Sequence, residues 1–149
     1  MAYVPPRPGQ RITSNLLATL AGEWTPYTAT LTGVTLGNGT LMTRYQQAAD
    51  RVIVAWNLSW GSTTTGNMPT LSLPVPPAAL GGMRWSGDVT INPGPSASWR
   101  AGQAYLADTG TTVATYALTS TAAITSSLAT AGITMAATGF IQGNIEYEI

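Results

Sequence analysis

The stretch RVIVAWNLSW, residues 51 to 60, constrains the fold more than any other part of the chain. Val52, Val54, Trp56, Leu58 and Trp60 fall on one side of an extended backbone. Ile53, Ala55, Asn57 and Ser59 fall on the other. Strand side chains alternate between faces, so this period of two predicts a strand with one well-buried face. GTLMTRYQQ, residues 39 to 47, reads as its hairpin partner across a turn at AAD, residues 48 to 50.

The sheet so begun carries little charge. No Asp, Glu, Lys or Arg stands between Arg51 and Arg84, or between Asp108 and Glu146. Charged residues make up 8% of the chain, against about a quarter in typical soluble domains. Ser and Thr supply the polar surface instead. A freely diffusing monomer generally needs more surface charge than this, so the composition predicts a chain that packs against copies of itself or other proteins.

The residue types also exclude chemistry. There is no Cys, no His and no Lys, and all six cations are Arg. Disulfides, thiolates, a His general base and a Ser–Lys pair are therefore ruled out. Among the acids, Asp50 and Asp108 occupy expected turns, where Asp is locally favoured. Glu146 and Glu148 alternate with Ile145, Tyr147 and Ile149, on the solvent face of the last strand. A glycosidase-like pair of carboxylates is the remaining catalytic option, and this distribution argues against it. The expectation is a protein that is not an enzyme and uses no metal or cofactor.

The formal net charge is zero, which predicts neither nucleic-acid binding nor a polybasic membrane patch. The uncharged span 109–145 is broken every few residues by Thr, Ser or Gly, and reads as Thr-rich strands rather than a membrane-crossing helix. MAYVPPRPGQR lacks an apolar core of signal-peptide length.

Three zones follow. Residues 1–12 form a Pro-rich arm that favours an extended path. Residues 13–22 hold a short helix over 14–21, with Thr13 or Ser14 as cap, Leu16, Leu17 and Leu20 on one side, and Gly22 as terminator. Residues 23–149 form the β domain. About eight short strands at even spacing predict an all-β fold, a single β-sandwich or jelly-roll-like domain. Of the five tryptophans, Trp56 and Trp60 share the apolar face of one strand and belong to core or subunit interface. Trp85 and Trp99, flanked by Arg84 and Arg100 near loop-rich segments, are candidate surface contacts for a partner or a glycan.

A resemblance adds to this reading. W-x-x-Y-T-x-x-L-T (Trp24 to Thr32), GNGT (37–40), RYQQAADRVIV (44–54), a Gly/Ser/Thr-rich loop and LSLP (71–74), with the closing GNIEYEI, resemble a module of small β-rich bacteriophage virion proteins. These are head-fibre, capsid-decoration and minor tail proteins, especially of phages of actinobacteria. Ala49 stands where such proteins tend to carry Gly. The resemblance implies a structural virion component, often a homotrimer, on the capsid surface or tail. With the composition, it yields a first expectation of a capsid-decoration or head-fibre protein. Its arm residues Val4, Pro5, Pro6, Arg7, Pro8 and Arg11 would attach it to the major capsid protein or another virion protein. The alternatives are a tail-tip or fibre protein that binds a host surface glycan, and a carbohydrate-binding module.

Overall fold

A computed structural model describes residues 22–79, 81–95 and 97–149. The expected arm and the expected helix at 14–21 lie outside the described residues. Within them the chain is all-β. Ten strands run in order: β1 (Thr25–Pro26), β2 (Leu31–Thr35), β3 (Thr40–Ala48), β4 (Arg51–Ser59), β5 (Thr65–Ser72), β6 (Arg84–Asn92), β7 (Arg100–Ala107), β8 (Thr112–Leu118), β9 (Ile124–Thr125) and β10 (Phe140–Glu148).

The hairpin expected around residues 48–50 forms as β3–β4, in register from Thr40–Ser59 to Ala48–Arg51. Its turn places Ala49 at φ 53°. A non-glycine residue in this left-handed region costs about 1–2 kcal/mol, whereas Gly loses about 0.4–1 kcal/mol more chain entropy on folding. The strain outweighs the entropy. Ala49→Gly is therefore expected to stabilise the fold by about 0.5 kcal/mol, read as an increased denaturant midpoint at unchanged slope. A lowered midpoint would show that the turn does not strain Ala49.

The strands make one antiparallel sheet, ordered β1-β3-β4-β10-β6-β7-β8-β5-β2, with β9 beside β8. It curls into a half-barrel. The last strand, β10, is inserted between β4 and β6: Ile141 pairs with both Leu58 and Ile91. The expectation of an all-β domain is thus met, in the form of a single curled antiparallel sheet. The two ends of the strand path are neighbouring pieces of chain. β1 pairs with β3, and four residues later β2 pairs with β5. Between them, the amide of Tyr27 donates to the Thr43 carbonyl at 3.2 Å, and the amide of Ser72 to that of Thr30 at 3.0 Å. One extended segment therefore ties both margins of the curl together.

Curling puts one face of every long strand inside. Val52, Val54, Trp56, Leu58 and Trp60 are buried, together with Val89, Ile91, Leu106, Val113, Ile141, Ile145 and Tyr147. Three threonines go in with them: Thr43, Thr64 and Thr115. Each hydroxyl donates to a backbone carbonyl, of Tyr27, Leu36 and Pro69 respectively. A buried hydroxyl needs such a partner, and each of these bonds joins segments far apart in sequence.

Two differences from the sequence reading concern loops. β5 begins at Thr65, inside the Gly/Ser/Thr-rich stretch read as a loop, and runs through Pro69. Proline is tolerated there because the β2–β5 pairing shifts register opposite it, between Thr32 and Val34. Conversely, 126–139 is not strand. Its backbone bonds largely to itself, as from Ile133 to Leu128 at 2.8 Å, while Leu128 and Ile133 plug the core.

Two tyrosines are tied into this interior. The Tyr147 hydroxyl donates to the Val75 carbonyl at 2.7 Å, and that of Tyr27 to the Ser72 carbonyl at 3.2 Å. Burial pushes the Tyr27 phenol up to about 12 and moves that of Tyr147 in the same direction. The unfolded chain ionises these phenols near 10, so it releases protons earlier than the folded chain. Their stabilisation is present below pH 10 and is lost as pH rises from 10 towards 12. With no Lys or Cys to obscure it, alkaline titration at the phenolate absorbance is expected to show two late tyrosines, whose ionisation coincides with unfolding. Six tyrosines titrating together near 10 in the folded chain would contradict this.

Candidate functional site

The outer face of β3, β4, β10 and β6 carries the residues that alternate with the core. The register aligns Met42 with Asn57 and Gln142, and Gln142 with Thr90. One step along, Arg44 aligns with Ala55 and Asn144. Asp88 follows one residue beyond the last β10–β6 pair, Gly143–Val89. These residues line a cavity of about 360 Å³. Neighbouring strands lie about 4.8 Å apart, so the row from Arg44 to Asp88 crosses three such intervals, about 14 Å.

Two glycines shape the floor. A Cβ on Gly143 would lie 2.4 Å from Cζ2 of Trp56 and 2.7 Å from the Asp88 carbonyl. A Cβ on Gly87 would lie 1.9 Å from the Asn144 carbonyl. The missing side chains let β6 approach β10 closely and leave room for the Trp56 indole at Gly143. Trp56 is 4% exposed, and its Nε1 is buried with no hydrogen-bond partner among the described residues.

The polar side chains of the row are unengaged. Asn57, Gln142, Asn144, Thr90 and Asp88 make no side-chain hydrogen bond to another described residue. Arg44 stacks its guanidinium 4.6 Å from the ring centre of Trp24, itself 43% exposed. Met42 is 69% exposed. On the same face of β10, two residues before Gln142, Phe140 meets Trp99 edge-on at 5.6 Å. Trp99 is 63% exposed. The face thus carries apolar groups near its margins and amides at its centre. The one salt bridge of the described residues, Arg51 to Glu146 at 2.7 Å, lies further along β4 and β10 with both partners well exposed, and contributes little to stability.

The expected site residues are distributed unequally. Trp99 is on this surface. Trp85 is half-buried, packed against the core and edge-on to Tyr147 at 6.4 Å. Val4, Pro5, Pro6, Arg7, Pro8 and Arg11 lie outside the described residues. The acids are placed as expected: Asp50 and Asp108 in turns, Glu146 exposed on β10. Sequence reasoning missed Arg44, Asn57, Gln142 and Asn144. The available signal was the alternation of Gln142 and Asn144 in FIQGN, residues 140–144.

Among the described residues no helix is long and apolar enough to cross a membrane. Comparison with known proteins finds no matching family model, no matching curated protein and no matching solved structure.

Proposed function

We propose that this chain is a non-enzymic structural component of a bacteriophage virion, a capsid-decoration or head-fibre protein held to the particle through residues 1–12. The observation that carries the reading is the low charge of a fully formed β domain, coupled to large exposed apolar side chains away from the outer face just described: Met83, before β6, and Ile124, on β9. Such a surface is suited to being covered by neighbouring subunits. The resemblance of roughly residues 12–80 to small virion proteins supplies the kind of assembly. In it, the half-barrel takes the role a β-sandwich or jelly-roll-like domain would have, and copies associate as a homotrimer.

In this reading Pro5, Pro6 and Pro8 lower the entropy lost when the arm is ordered on a partner. Arg7 and Arg11 make charge-assisted contacts with the partner's carboxylates. The test deletes residues 2–11 and adds the variant to particles lacking the native protein. The β domain is expected to keep its far-UV spectrum and its trimeric mass by light scattering, and to lose particle binding. Undiminished binding would move the attachment surface onto the domain, and a stable monomer at micromolar concentration would sink the assembly reading.

The second reading, a tail-tip or fibre protein that binds a host glycan, is favoured by a different observation: the free amides between exposed aromatics on the outer face.

A further inference from the structure

We infer that the outer face of β3–β4–β10–β6 is a binding site for a neutral oligosaccharide. The inference rests on the glycan binding of the second reading and names its ligand class and residues; it holds whether or not the chain is part of a particle.

The argument begins with what the site offers. Asn57, Gln142 and Asn144 each present a carbonyl acceptor and two N–H donors, none used within the described residues. Adjacent sugar hydroxyls are both donors and acceptors, so a planar amide meets them with matched pairs. Asp88 accepts from further hydroxyls and Arg44 donates to them, both as charge-assisted bonds. Thr90 adds a hydroxyl at the same level.

Charge narrows the class. Arg44 and Asp88 are the only ionisable residues lining the cavity, one of each sign, at opposite ends of the row. A phosphate or sulfate ester would meet Asp88, and a polycation would meet Arg44. A neutral ligand meets neither penalty. The apolar groups fit the same class. The C–H faces of sugar rings pack on aromatic and thioether surfaces, and Trp99, Phe140 and Met42 are exposed or half-exposed along this face. Trp24 is held beside the row by the Arg44 guanidinium.

Size and shape favour a chain of sugars over a single one. The row is about 14 Å wide and the cavity is shallow, so a monosaccharide touches only part of it. The floor is preformed, because Gly87 and Gly143 fix the β6–β10 crossing by backbone contact. Little ordering cost is then left to binding. A protein partner would find this centre a poor seat, since amides and a carboxylate left unmatched at a dry interface are costly.

The test uses the full chain on an array of neutral gluco-, galacto-, manno- and arabino-oligosaccharides. Sulfated oligosaccharides, acidic and basic peptides and the chain itself form the other arms. Binding to at least one neutral oligosaccharide is expected, with longer chains held better than their monosaccharide. Asn57→Ala and Asn144→Ala are each expected to weaken it about tenfold, the loss of one or two hydrogen bonds to ligand. Both positions are exposed, so thermal unfolding should stay near that of the parent. Trp99→Phe is expected to reduce the ligand-induced change in tryptophan fluorescence, with Trp24 and Trp56 supplying the remainder. Failure to bind any neutral oligosaccharide overturns the inference. So does binding that both alanine variants leave intact, a preference for sulfated sugars or peptides, or self-association that both alanine variants weaken. Particle association does not enter any of these readouts, so the virion reading stands or falls separately.

Discussion

Gly143→Ala will destabilise the domain by about 3 kcal/mol, near the upper end for overpacking a close-packed interior. The added methyl would sit 2.4 Å from the Trp56 ring and 2.7 Å from the Asp88 carbonyl. Neither neighbour can give way cheaply. The indole is 4% exposed and confined by the core, and the carbonyl belongs to β6, which is hydrogen-bonded to β10 here. For a chain of this size the change corresponds to a fall of roughly 10 °C in midpoint. A second substitution tests the cause. Trp56→Leu removes the ring that the methyl meets, so Gly143→Ala is expected to cost markedly less in that background. Equal costs in both backgrounds would mean that the indole does not lie against Gly143.

Leu58→Ala and Asn57→Ala, one residue apart on β4, should differ by several-fold more than their chemistry alone suggests. Leu58 is fully buried, paired with Leu41 on one side and Ile141 on the other. Truncation leaves a cavity that three hydrogen-bonded strands cannot close, and is expected to cost about 3 kcal/mol. Asn57 faces solvent, and its side chain makes no hydrogen bond to a described residue. Its replacement should stay within about 0.5 kcal/mol. Urea unfolding of the two variants reads both values, and similar losses would mean that β4 does not have one inner and one outer face.

That contrast was legible in the sequence, because a period-two pattern depends only on neighbouring residues. Val52 to Trp60 declared their inner face before any partner strand was known, and the β3–β4 hairpin needed only the short turn at 48–50. The order of strands was not legible. Nothing local in FIQGNIEYE places it between β4 and β6, and without that order the amides of Asn57, Gln142 and Asn144 are separate surface residues. Trp85 illustrates the same limit. Its neighbours Arg84 and Ser86 suggest a surface position, yet Tyr147, distant in the chain, packs on its ring. The segment 126–139 failed as strand for a further reason. Its Thr and Ala residues carry β-like composition, but Gly132 and Thr138 take positive φ angles of 69° and 76°, and the chain turns on itself.

The central proposal is that this protein is part of a virion, and the most direct measurement is quantitative mass spectrometry of gradient-purified phage particles from an infected culture that expresses it. The account predicts the chain in the particle at a fixed ratio to the major capsid protein, and retained in the head fraction when heads and tails are separated. A chain abundant in the infected-cell lysate yet missing from intact particles would contradict it.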